Sequence, residues 1–261
     1  MKKIKIAMLL IILLAFDRSF SQTKPKQTPA REVTEEFYDA VFADNTPKAL
    51  KMLETKFPAN YEPKNKITPL QAAIWQNNLA LVKALAEGGA NINNTVKASA
   101  GESNSQSAVE VAAGKGTLEI LKYLLQKGGS ITTNSAFNTA GFGQFYDCAK
   151  LLLLKGANQD KGDIRGKLWV FEQAVRKSDY QVLNALKLNK DEWDSNNYEG
   201  ETALIIAVKN RNAEMVQYLL KKGVNKNKPE TFDAGDEISY GKKPIQIASQ
   251  MKLAAILKLL K

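Results

Sequence analysis

The stretch TPLQAAIWQNNLALVKALAEGGANIN, residues 68–93, decides how the rest of the chain is read. Around Ala73 it places Leu70 three positions before, Val82 nine after, Leu85 twelve after and Gly89 sixteen after. Apolar residues at these intervals mark two short helices, and a glycine just past the second suits a helix end that needs a left-handed residue. The same offsets recur around Ala112, Ala140, Ala174, Ala207 and Ala248. Twelve positions after each of these stands a leucine, namely Leu124, Leu152, Leu186, Leu219 and Leu260, and three of the five repeat the glycine as Gly128, Gly156 and Gly223. Successive alanines are 39, 28, 34, 33 and 41 residues apart, so the unit is fixed while its linkers vary. A pair of short helices cannot bury its apolar face alone. The units must stack, and the predicted fold is an all-α solenoid of about six to seven helix-turn-helix units.

Working outward, EEFYDAVFADNTPKALKML at 35–53 reads as an earlier unit with one extra residue between its helices, and the chain ends at Lys261 inside the second helix of the last unit. The units fall near 34–67, 68–106, 107–134, 135–166, 167–199, 200–240 and 241–261. Two long steps imply insertions. NTVKASAGESNSQ at 94–106 is small and polar and is expected to be flexible; KNKPETFDAGDEISYG at 226–241 mixes acidic and aromatic residues. The unit around Ala174 is the most divergent, with Lys190 where glycine is expected and DEWDSNNYEG following it at 191–200, and a bend is expected there.

The chemistry available is narrow. The 261 residues contain no histidine and one cysteine, Cys148, which excludes Ser/His/Asp and Cys/His nucleophilic centres, histidine-ligated metals, thiolate clusters and an intrachain disulfide. Carboxylate pairs need neither residue type, and the candidates are Glu35 with Glu36, Asp191 with Glu192, and Asp233 with Asp236. All lie in polar stretches that read as solvated surface, as does the Asp233, Asp236 and Glu237 loop that would otherwise suggest calcium. Gly141 and Gly143 lie in a first helix with no strand before it, so they form no phosphate loop. Cys148 occupies the offset that other units fill with Leu81, Ile120, Val182, Met215 and Ile256, and is read as a core residue. The chain is read as non-enzymatic, without cofactor or metal.

At the other end, Lys2, Lys3 and Lys5 precede an apolar run from Ile6 to Phe16, too short to span a bilayer and matching a secretory signal. Residues 1–21 are read as that signal, cut between Ser21 and Gln22, with 22–33 a flexible lead-in and no stable membrane anchor after cleavage. The expected location is periplasmic or secreted. The formal charge of +10 becomes 33 Lys+Arg against 26 Asp+Glu, or +7, and residues 164–228 hold +4 of that excess.

The units resemble the ankyrin repeat family, most closely at 68–93, in SAVEVAAGKGTLEILKYLLQKGGS at 107–130 and in TALIIAVKNRNAEMVQYLLKKGVN at 202–225. Family members usually carry a histidine two positions before the alanine that ties adjacent units together. Here those positions are Gln71, Glu110, Asn138, Glu172, Ile205 and Gln246, five of them polar and able to make a similar bond. The resemblance implies a monomeric scaffold whose partner is another protein rather than nucleic acid, bound on a concave face by residues two and three after the alanine. Carried across, those offsets name Trp75, Gln76, Lys115, Phe142, Arg176, Lys177, Lys209 and Asn210 as the partner-binding set. The alternative is an envelope- or polyanion-binding module that uses the basic later repeats.

Overall fold

A computed structural model describes residues 28–63, 67–97, 105–233 and 237–261; the signal reading at 1–21, residues 22–27 of the lead-in, and residues 98–104 and 234–236 of the two insertions, Asp236 among them, lie outside these. Seven helix pairs follow one another: α1 (Arg31–Phe42) with α2 (Thr46–Thr55), α3 (Pro69–Trp75) with α4 (Leu79–Glu87), α5 (Ala108–Lys115) with α6 (Leu118–Gln126), α7 (Ala136–Phe142) with α8 (Tyr146–Leu154), and α9 (Ile164–Lys177) with α10 (Tyr180–Ala185). A single turn, α11 (Lys190–Trp193), precedes α12 (Ala203–Lys209) with α13 (Ala213–Lys221) and α14 (Pro244–Gln250) with α15 (Ala254–Leu260). Each insertion is closed at its base by an antiparallel ribbon, β1 (Val96–Lys97) with β2 (Ser105–Gln106), and β3 (Thr231–Asp233) with β4 (Ile238–Tyr240). The insertion at 94–106, expected to be flexible, is thus anchored where its two ends pair.

The repeated alanines lie in the core of the stack. Ala73, Ala112, Ala140, Ala174, Ala207 and Ala248 are all buried, as are the six leucines twelve positions on. Each alanine carbonyl accepts a hydrogen bond from the backbone N–H five residues later at 2.8–3.1 Å, from Asn78, Thr117, Phe145, Asp179, Asn212 and Leu253 in turn. That bond closes the first helix over a left-handed residue, and Asn77, Gly116, Gln144, Ser178, Arg211 and Lys252 all have φ between 51° and 69°. The first pair obeys the same rule: Asn45 N–H bonds Ala40 O, Asp44 is left-handed, and Ala49 and Met52 are buried at the offsets of nine and twelve. The extra residue expected between α1 and α2 is therefore absent. Leu50 and Leu53, one residue beyond those offsets, are only partly buried.

Gly89, Gly128, Gly156 and Gly223 all have φ between 83° and 97° with open space around them, so conformation and not crowding selects glycine there. Where Lys190 replaces the glycine, the second helix is shorter. α10 stops at Ala185, Leu186 turns extended while staying buried, and Lys190 begins α11 under an Asn189 cap.

Of the residues standing in for histidine, Glu110 bonds the next unit directly, and Gln71, Asn138 and Glu172 bond the segments that lead into it. Gln71 Nε2 donates to Gln106 O at 2.7 Å. Glu110 accepts from Ser107 in its own unit and from both the N–H and the Oγ–H of Ser135 in the next, at 3.0 and 2.7 Å. Asn138 Nδ2 donates to Gln159 O and Lys161 O, leaving its buried Oδ1 without a protein partner, and Glu172 accepts from Asn197 Nδ2. Gln246, in the last pair described, bonds only its own helix start through Lys243 N–H. The apolar Ile205 makes no such bond and is buried instead.

The chain has no histidine, the side chain whose ordinary pKa lies near neutrality, so urea midpoints should not move between pH 6 and 8. Below that range they should fall. Burial would raise the Asp179 carboxyl, but bonds from Lys150, Val182 N–H and Tyr146 outweigh it and hold the group below its ordinary value. Glu230 is likewise lowered, burial being outweighed by Lys209 and the Lys242 N–H. For a lowered carboxylate the stabilisation is complete above its unfolded value, about pH 4, and is lost as pH drops through the folded value. Lys150→Met and Lys209→Met should each flatten that acid limb; midpoints with the same acid slope as the parent would refute the assignment.

Candidate functional site

The ends of the first helices carry a row of large exposed side chains at one repeated offset. Two residues after the buried alanines stand Phe42, Trp75 and Phe142, 50%, 48% and 56% exposed. Helical geometry places them there: the alanine faces the stack, and the residue two later lies on the opposite side of the helix. Gly114 holds this offset in the third unit, and its missing side chain leaves Trp75 beside Lys115, whose Nζ lies 4.0 Å from the indole centroid. The Arg165 guanidinium lies 5.0 Å from the Phe142 centroid. Each of these two aromatics is therefore overlaid by a cation from the following helix pair, an arrangement worth roughly 0.5–1 kcal/mol at exposed sites. Gln76 and Asn210 cap α3 and α12 and are exposed beside the row.

Phe42 and Arg165 belong to this face and were not read from the sequence. Phe42 lies in the first unit, outside the set of units whose alanine offsets define the predicted face, and Arg165 lies on a helical extension that no other internal unit has. The signal that could have found Phe42 is the Phe37, Ala40, Ala49 and Met52 spacing.

The basic half of the expected set is arranged differently from a free cationic surface. Arg176 Nε bonds Glu172 at 2.8 Å, and its Nη2 reaches Glu201 and Glu199 at 3.3 and 3.5 Å. Lys209 Nζ sits 2.6 Å from both Glu201 and Glu230. Lys177 turns the other way, its Nζ 5.4 Å from the Tyr146 ring centroid. Arg176 and Lys209 thus bind the loop carboxylates of successive units to one another, and Lys177 does not join them.

Of the expected carboxylate pairs, three described members are held in ion pairs with cations. Glu35 pairs with Arg31, Glu36 with Lys48 and Lys56, and Glu192 with the buried Lys167. No group of three or more Asp, Glu, Cys or His among the described residues is placed to hold a metal ion. Gly141 lies within α7, as its sequence context predicts. Cys148 is buried, and burial pushes its thiol up to about 11, with nearby Asp147 adding to the rise, which agrees with a core role.

Comparison with known proteins bears on the fold and its repeats. Residues 65–97 match the family model of the ankyrin repeat, and residues 171–261 match the model of three ankyrin repeats in succession. Among curated proteins the chain is similar to an L-asparaginase of Dirofilaria immitis, 27% identical over 165 residues that make up 62% of this chain. The match spans 27% of the length of that relative. Among solved structures, the ankyrin repeat domain of human ASB11 is similar with a TM-score of 0.54 at 17% identity, covering 86% of this chain and 95% of that one. That likeness concerns the fold.

Proposed function

With ankyrin repeats as the units of this chain, we propose that it is an exported, non-enzymatic protein–protein interaction scaffold that binds its partner across the ends of the first helices, the concave side in resembling proteins. The observation that carries this reading is the row of Phe42, Trp75 and Phe142, three large apolar side chains left half-exposed at one offset of a repeating rigid unit. Aromatic and arginine side chains dominate binding energetics where they are desolvated, and helices that do not reorganise lose little entropy on docking. Export rests on the Lys2-Lys3-Lys5 and Ile6–Phe16 pattern. The asparaginase named among the relatives shares only part of its length with this chain, and Glu35 and Glu192 are engaged in ion pairs with Arg31 and Lys167.

The test is capture from the exported fraction, using the chain beginning at Gln22 as bait. Trp75→Ala together with Phe142→Ala should lower capture of the retained partner by at least about thirtyfold, the effect of losing one hot spot of 2 kcal/mol, while leaving the helical spectrum and melting unchanged. Arg176 is unsuited to this test because its loss would also disconnect three carboxylates. Undiminished capture by the double variant would overturn the face assignment.

A further inference from the structure

Most first helices begin four residues before their buried alanine, at Pro69, Ala108, Ala136, Ala203 and Pro244. α9 instead begins ten before, at Ile164. The six added residues lengthen it by about 9 Å at 1.5 Å per residue, and they build a wall that the neighbouring units lack. Between this wall and the loop entering α12 lies a cavity of about 190 Å³. Leu168, Trp169, Phe171, Ala203 and Ile206 make its apolar lining, and Tyr198, 91% exposed at the tip of the loop, stands at its mouth. Arg165 and Tyr198 both line this cavity, and the Arg165 guanidinium also lies over Phe142, so Arg165 joins the cavity to the aromatic row.

The charge around this mouth opposes that of the whole chain. Around it lie the pair Asp163 with Arg165 and a network of Glu172, Glu199, Glu201 and Glu230 with Arg176 and Lys209, with Lys242 beside Glu230, so five carboxylates stand against four cations. A chain of net charge +10 therefore presents a local acidic excess beside an apolar hole. An apolar cavity of about 150 Å³ is large enough to take a benzene-sized group, so this one has room for a leucine or phenylalanine side chain.

We propose that the cavity between α9 and the 195–203 loop receives one bulky apolar side chain from a basic peptide segment of the partner, the flanking cations meeting the carboxylate excess. This rests on the scaffold reading and names the chemistry of the segment recognised. Shape selects the anchor side chain, and charge selects its neighbours.

The experiment labels the chain from Gln22 with 5-fluorotryptophan and follows the Trp169 fluorine resonance, assigned with Trp169→Phe, as the peptide acetyl-Gly-Lys-Phe-Lys-Gly-amide is added. A saturable shift at Trp169 is expected, with at least tenfold weaker binding when the peptide phenylalanine is alanine or its lysines are glutamates. Tyr198→Ala, at a position too exposed to affect folding, and Leu168→Lys should each weaken binding by a similar factor. The Trp75→Ala and Phe142→Ala double variant should still bind the peptide, so failure of the cavity and failure of the aromatic row are read separately. No shift at Trp169, an equal response to the glutamate peptide, indifference to Tyr198→Ala, or an equally strong shift from benzyl alcohol alone would overturn the proposal.

Discussion

Glu192→Ala should destabilise the chain by about 3–5 kcal/mol, the cost of leaving a buried charge without its partner. Lys167 lies on α9 with its side chain 3% exposed, and Glu192 on α11, 14% exposed, is 2.8 Å from its Nζ. The remaining contacts of the ammonium are the Lys187 carbonyl at 3.2 Å and the solvated Asp160 carboxylate at 3.9 Å, too little to replace an ion pair. Glu192 also accepts from the Asn189 N–H at the start of α11, a bond that Glu192→Gln can retain. The glutamine variant therefore separates the loss of charge from the loss of the cap, which is worth about 1 kcal/mol. Lys167→Met should cost less than Glu192→Ala, because it removes the buried charge outright. Added to Glu192→Ala, it should return part of the lost stability. Urea unfolding of the four chains measures this directly; if Lys167→Met deepens the Glu192→Ala defect, the pair is not what holds α11 to α9.

This ion pair also explains the divergent unit. The sequence showed Lys190 in place of glycine and a polar stretch behind it, and suggested a bend. What the structure shows is a shortened α10, a one-turn α11 clamped to the lengthened α9 by Lys167 and Glu192, and Trp193 packed edge-on against Phe171 with centroids 5.1 Å apart. Lys167 and Glu192 are 25 residues apart, and no periodicity links them.

The stacked core was legible because it is set by apolar spacing within single units: the alanines and leucines named from the offsets are the buried ones. The glycine ends were legible for the same local reason. The turn inside each unit was not, because the left-handed position is filled by Asp44, Asn77, Gly116, Gln144, Ser178, Arg211 and Lys252. No residue type marks it. It is held by the backbone bond to the alanine carbonyl, which does not involve the side chain. The binding face was half legible. Trp75 and Phe142 follow from the offset, but the neutralisation of Arg176 and Lys209 depends on Glu199, Glu201 and Glu230, which the loops and the second ribbon bring back from 21 to 25 residues away.

Gly166→Ala should lose at least about 3 kcal/mol, the upper end of what overpacking costs when the obstacle is rigid. Helix propensity alone gives the opposite sign, since alanine in a helix is favoured over glycine by about 1 kcal/mol. Packing decides. A Cβ on Gly166 would lie 2.0 Å from the Asn138 carbonyl oxygen, and one on Gly141 would lie 2.2 Å from the Gly166 oxygen. Both obstacles are backbone, so α7 and α9 must separate to admit a methyl group. That separation would also strain the bonds Asn138 makes to the Gln159 and Lys161 carbonyls. Gly114 supplies the comparison. It is helical too, but a Cβ there would meet only the Thr139 methyl at 2.9 Å, the end of a side chain that can shift. Gly114→Ala should consequently be close to neutral, with propensity offsetting a small steric cost. Denaturant midpoints for the two single variants, at matched slope, distinguish the accounts: equal and small changes would mean that the α7–α9 contact is not the close backbone approach described, and a large loss confined to Gly166→Ala would show that the lengthened helix is locked to its neighbour through it.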